Sequence, residues 1–199
     1  MDANAPGIAP DVQGLVAAEV QRQVKALREE MEAKIAEVRA RTVDDAATII
    51  VFSGDLDKVL AGFVLATGAA AAGLETSMFF TFWGLSVLKK PGAAPGPKNL
   101  MEKMFAMMTP SSSLELGTSK MNYFGMGAVM LRKMMKDKQI ATLEELIALA
   151  RELDVKMIAC TMSMDAMGVA KEELVDGLTY GGVATYMADA VRSRVTLFI

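Results

Sequence analysis

Two apolar runs flanking a stretch of small residues constrain this fold more than any other feature. Ala47-Thr48-Ile49-Ile50-Val51-Phe52 is continuous and rich in β-branched residues, as a strand buried on both faces requires. Ser53-Gly54-Asp55 follows as a turn, with Ser53 and Asp55 as cap candidates. The next segment is mostly small (Ala61, Gly62, Ala66, Gly68, Ala69 to Ala72) and stops at Gly73. Small residues let a helix approach a sheet closely. Thr76 to Trp83 then has strand composition, with the second strand placed at Met78–Phe82. A strand–helix–strand unit of this kind implies parallel pairing with a right-handed crossover.

The remaining chain repeats the alternation. Pro91, Gly92, Pro95, Gly96 and Pro97 mark a mobile loop within 89–99. Leu100–Met108 reads as a short helix, and a second begins near Met126. Thr142-Leu143-Glu144-Glu145 is a capping box, opening a helix whose apolar face is Leu143, Leu146, Ile147, Ala150 and Leu153. Val155–Cys160 reads as a third main strand, Gly182–Val191 as a helix and Val195–Ile199 as a final strand. This pattern predicts a three-layer αβα sandwich with a mainly parallel sheet over residues 44–199. Strand order does not follow from it.

Residues 1–10 hold Pro6, Gly7 and Pro10 and read as a flexible leader. Residues 11–42 form an amphipathic, coiled-coil-like helical arm. Val20, Val24, Leu27, Met31 and Val38 keep heptad spacing, with Ile35 beside the seam and Lys34 weakening it. Six acidic and six basic residues balance along the arm. A helix of this length extends about 48 Å. It either packs on its own domain or pairs with copies of itself, and balanced short heptads favour a homo-oligomer.

Composition narrows the chemistry. The chain has no histidine, one cysteine and a formal net charge of −3. Histidine-based nucleophile systems, internal disulfides and cysteine-rich metal knuckles are therefore excluded. A basic face for nucleic acid is also missing. The N-terminus does not read as a secretory signal, and a lone thiol fits a reducing, cytoplasmic setting. Residues 59–88 carry one charge, Glu75, and score as a possible membrane span. Glu75 at the centre, the stop at Gly73 and the strand-like run after it argue against spanning. The seventeen methionines include two helical stripes, Met101/Met104/Met108 and Met126/Met130/Met134. Thioethers bind copper(I), yet such stripes more often serve adaptable packing at a core, groove or subunit contact.

Parallel α/β sheets bind ligands outside the carboxyl ends of their strands. Here those ends are Ser53-Gly54-Asp55, Phe82-Trp83-Gly84 and Cys160-Thr161-Met162-Ser163. Backbone N–H groups where a strand hands over to a helix favour a thiolate at Cys160, whereas Asp165 opposes it unless it caps the helix. A peroxidase would want arginine near the thiol, and the nearest cations in sequence are Lys156 and Lys171. The plain alternative is a small buried hydrophobe at a strand end.

Six ordered blocks carry a resemblance. They are Ser53-Gly54-Asp55-Leu56-Asp57-Lys58, Phe79-Phe80-Thr81-Phe82-Trp83-Gly84-Leu85, Ser119-Lys120-Met121-Asn122 with Gly125-Met126-Gly127, Ala159-Cys160-Thr161-Met162-Ser163-Met164-Asp165 with Gly168, Glu172-Glu173-Leu174-Val175-Asp176-Gly177, and Gly181-Gly182-Val183-Ala184-Thr185-Tyr186 with the Leu197-Phe198-Ile199 end. Together they resemble the DsrE/DsrF/DsrH-like family over about residues 46–199, and the arm lies outside the likeness. The resemblance implies a flavodoxin-like αβα fold, a homo-oligomer, and handling of sulfane sulfur as a persulfide on Cys160. It implies no metal and no organic cofactor. On this reading the persulfide is held by backbone N–H groups of Thr161, Met162 and Ser163 and by the turn at Ser53, Gly54 and Asp55. Phe82, Trp83 and Gly84 wall the pocket, and Lys120 and Asn122 orient an anionic donor. Donor and acceptor are partner proteins or low-molecular-weight thiols. The competing expectations are a non-catalytic oligomeric binding protein and a membrane-associated protein.

Overall fold

The computed structural model describes residues 10–41, 44–93 and 98–199. The chain divides into two units, one up to Val43 and one over Asp44–Ile199. Apart from Pro10, the expected leader lies outside the described residues, as do residues 94–97 of the Pro/Gly loop.

The first unit is helix α1, Pro10–Arg41. Its seam residues Val20, Val24, Leu27, Met31 and Val38, and Ile35 beside them, are all exposed. Ion pairs such as Lys34 to Glu30, at 2.6 Å, support the helix from its own surface.

The described residues of the second unit form a five-stranded parallel sheet in the order β4-β3-β2-β1-β5. The strands are β1 Asp44–Val51, β2 Glu75–Phe80, β3 Lys156–Cys160, β4 Thr179–Gly181 and β5 Ser193–Phe198. The helices are α2 Leu56–Ala71, α3 Leu100–Met108, α4 Met126–Asp137, α5 Leu143–Glu152, α6 Thr161–Met167 and α7 Val183–Ala190. The chain steps outward from β1 to β4, and α7 then returns it to β5 on the far side of β1.

Alternation along the strands sorts the core into two layers. Ile49, Val51, Met78, Phe80, Met157 and Ala159 belong to the larger cluster, with Leu56, Val59 and Phe63 of α2 and Leu143 and Leu146 of α5. The α2 stripe Leu56, Val59, Phe63, Ala66 has the spacing that keeps one helix face on a sheet. Each fully buried large side chain there contributes about 1.5–3 kcal/mol. The intervening residues Phe79, Ile158 and Cys160 join Tyr186 of α7 in a smaller cluster on the other face. The expected αβα layering is therefore present.

Two elements depart from the sequence reading. Strand β2 ends at Phe80, because Phe82 has φ 46°, which an extended strand does not allow. Residues Phe82–Leu88 instead form a 3₁₀ turn. The three-residue edge strand β4 was not expected. The methionine stripes lie on the surface, which removes the core from the expected core, groove or subunit contact: α3 has no buried residue, and Met126, Met130 and Met134 are exposed. The 59–88 run divides into α2, β2 and the 3₁₀ turn, and no described helix is long and apolar enough to cross a membrane.

Candidate functional site

Cys160 is the last residue of β3 and the N-cap of α6. It sits at the carboxyl edge of the sheet, paired with Gly181 of β4. Its side chain is 1% exposed and lies in the apolar cluster of Phe79, Ile158 and Tyr186. The Phe79 and Tyr186 ring centroids are 5.3 Å apart. Among the described residues Sγ has no hydrogen-bond partner. The thiol is at the expected strand end, but it is covered.

The residues after it diverge. Thr161 is half-buried and Met162 is exposed. Ser163 is fully buried, its hydroxyl 2.8 Å from that of Thr81 at the end of β2. This contact fixes the first turn of α6 to the neighbouring strand exit.

A separate cavity of about 430 Å³ opens over the end of β1 and the start of α2. It gathers Ser53, Gly54, Asp55, Trp83 and Asn122 from the expected set, with Phe52, Lys58, Ser86, Pro110, Gly117 and Thr118. Cys160, Thr161, Met162, Ser163, Phe82, Gly84 and Lys120 are not among its lining residues. The Ser53 turn and the thiol thus belong to different surroundings.

Local hydrogen bonds explain the cavity's shape. The Ser53 hydroxyl accepts from Asp55 N–H at 3.1 Å and donates to the Asp55 carboxylate at 2.9 Å. Lys58 Nζ donates to the same carboxylate at 2.7 Å. The Asp55 carboxylate raises the Lys58 pKa through that bond and its charge. Asp55 is the N-cap of α2, but its side chain makes no capping bond. The opposite wall is tied down by Ser119, whose N–H and hydroxyl donate to Asp57. Burial works to raise the Asp57 pKa, but these bonds outweigh it and hold the carboxyl below its ordinary range.

Two glycines allow close approach. A Cβ on Gly84 would run into the Val51 carbonyl, so this turn can cross the end of β1 only without a side chain. A Cβ on Gly117 would lie 2.8 Å from the Asn122 amide. Trp83 is half-exposed and stacks on Phe105 at 5.7 Å. Phe82 packs on Phe52, which stacks on Phe198. Lys120 is exposed. The sequence reading quoted Lys58 within a motif without giving it a role, and passed over Ser86 and Thr118. Ser86 left a signal, as the one hydroxyl inside the apolar run Leu85–Leu88. Among the described residues no three His, Cys, Asp or Glu side chains cluster as metal ligands do.

Fold and site define a parallel α/β protein with its single thiol at the end of β3 and a cavity at the end of β1, two strands away. The chain belongs to the DsrE/DsrF/DrsH-like family, whose model matches residues 44–198. It is 47% identical over 152 residues to the uncharacterized protein YrkE of Bacillus subtilis, covering 76% of this chain and 95% of that protein. It is 39% identical over 160 residues to the sulfur carrier protein DsrE2 of Allochromatium vinosum, covering 76% and 96%. A solved structure, the ychN protein from E. coli, matches at TM-score 0.43 and 11% identity over 77% of this chain and 99% of its own. That last likeness is too remote to bear on function.

Proposed function

We propose that this protein is a sulfur carrier that holds sulfane sulfur as a persulfide on Cys160 and passes it to an acceptor thiol. The observation that carries the reading is the place of the only cysteine, at the carboxyl end of β3 where the chain enters α6. Kinship with a protein named as a sulfur carrier supports it. In the loading step the Cys160 thiolate attacks the outer sulfur of a donor persulfide or polysulfide. The new S–S bond forms as the old one breaks, and the donor leaves as a thiolate. In the unloading step an acceptor thiolate attacks the outer sulfur and restores Cys160 as a thiolate. Neither step needs histidine, because each attacking group is itself a thiolate.

Cys160 is buried, so transfer requires the cluster it shares with Phe79, Ile158 and Tyr186 to open. First-turn N–H groups of α6 at Thr161, Met162 and Ser163 then stabilise the charged persulfide. The exposed stripe of α1 supports assembly with copies of the same chain, through 11–42.

A second reading is a non-catalytic binding protein, favoured by the 1% exposure of Cys160 within an apolar cluster. Intact-mass spectrometry after incubation with polysulfide decides between them. A gain of one or more sulfur atoms in the wild type, absent in Cys160→Ser, supports the carrier. No gain in the folded wild type supports the binding protein.

A further inference from the structure

We infer that the cavity over the end of β1 is a binding site for a small molecule with an anionic oxygen head, and that Ser86 and Thr118 are its ligand-contacting residues. The inference stands apart from sulfur transfer at Cys160, which does not line this cavity.

The first observation is an unmet valence. Ser86 Oγ and Thr118 Oγ1 are buried and have no hydrogen-bond partner among the described residues. Ser86 is 1% exposed and sits in the middle of the 3₁₀ turn. A buried hydroxyl without a partner costs about 1–3 kcal/mol, so native folds seldom keep one idle. Here the two residues that carry them line the same cavity.

The second observation is the electrostatic setting. The cavity lies at the N-terminal end of α2, a 16-residue helix whose N-cap side chain makes no capping bond and whose Leu56 N–H donates to the Gly117 carbonyl at 2.7 Å. That end carries positive partial charge. Lys58 lines the cavity and gives only one of its three protons to Asp55. Asp55 is the opposing charge, but its Oδ2 already accepts from both Ser53 and Lys58. The donors with capacity left are two hydroxyls and an ammonium, set beside the Asp55 carboxylate and the Asn122 amide as acceptors. Donors in that arrangement suit an oxyanion or carboxylate.

The third observation is size and lining. About 430 Å³ falls within the range of small-molecule pockets and exceeds what a bare anion fills. Phe52 and Trp83 supply the apolar wall for the rest of the ligand.

Trp83 is the only tryptophan in the chain, so its fluorescence reports on this cavity. The experiment titrates the full-length protein with three probes separately: inorganic phosphate, thiosulfate, and glutathione as a carboxylate-bearing thiol. At least one is expected to give a saturable change. Whether phosphate, thiosulfate or glutathione binds tightest identifies the source of the anionic head. Ser86→Ala and Thr118→Val should each weaken that probe about tenfold, the loss of one hydrogen bond to a charged group. Lys58→Gln, at the surface, should weaken it as well. Cys160→Ser should leave the titration unchanged, which separates this site from the carrier reading. Absence of a saturable change with all three probes up to about 10 mM overturns the inference. So does equal affinity in wild type, Ser86→Ala and Thr118→Val.

Discussion

The hydroxyls of Thr81 and Ser163 lie 2.8 Å apart in a buried setting, joining the exit of β2 to the first turn of the helix that follows Cys160. Either can donate, and each satisfies the other. Removing one leaves a buried hydroxyl without a partner. Thr81→Val and Ser163→Ala should therefore each cost about 1–3 kcal/mol in denaturant unfolding. The double variant should lose less than the sum of the two, because it removes both polar groups together. Strict additivity would show that the two hydroxyls do not interact.

A buried charge cluster makes a second prediction. Lys98 and Glu173 form an ion pair at 2.8 Å with both side chains nearly inaccessible. Glu173 also accepts from Ala170 N–H. Glu173→Gln strands the Lys98 ammonium and should cost about 3–5 kcal/mol. Loss of less than about 1 kcal/mol, the worth of a surface pair, would place the pair in solvent.

Lys89 adds a pH dependence to the same cluster. Burial, then the nearby Lys98 charge, push its pKa below the ordinary lysine value of 10.5, while Glu173 and Glu115 pull the other way. The unfolded chain thus holds the Lys89 proton to higher pH than the folded one. Stability owed to Lys89 must rise as pH climbs through the folded pKa toward 10.5, and fall as pH drops through that window. Unfolding of wild type and Lys89→Met, compared between neutral pH and about pH 10, isolates this term. Wild type should gain on the variant as pH rises. A gain in the other direction would contradict the buried placement.

Legibility followed the range of the interactions involved. β1 and β3 were readable because a run such as Ile49-Ile50-Val51 records burial on both faces in its own residues. β4 was not, since Thr179-Tyr180-Gly181 is three residues at an edge and gets its conformation from pairing with Ile158–Cys160. The end of β2 was misplaced because aromatic composition continues through Phe82 and Trp83 while the backbone turns at Phe82. The strand-end position of Cys160 was legible. Its burial was not, because Tyr186, a member of the same cluster, lies 26 residues further on and joins it only through α7. Ser53 and Trp83 were expected near the thiol, but they meet Ser86 and Thr118 instead.

The arm gives a prediction independent of the domain. Its exposed stripe, Val20 to Ile35, is apolar surface that a second copy can bury. Removal of residues 1–43 should leave 44–199 folded, since that unit holds its own core. It should also lower the molar mass measured by light scattering to that of a smaller assembly. An unchanged subunit number would move the contact elsewhere.

The last prediction concerns how Cys160 is reached. At 1% exposure the thiol should react with iodoacetamide far more slowly than free cysteine, at a rate set by opening of its cover. Tyr186 is the largest side chain in the Cys160 cluster, and α7 holds it with only eight residues. Tyr186→Ala should speed alkylation about tenfold or more and should cost about 3 kcal/mol in stability, as aromatic truncation in a core does. Tyr186→Phe keeps the ring on Phe79 and should alkylate at the wild-type rate. If sulfur transfer runs through the same opening, persulfide formation should accelerate in Tyr186→Ala in step with alkylation. A variant that alkylates fast yet gains no sulfur would separate access from carriage, and would leave Cys160 as packing beneath α7.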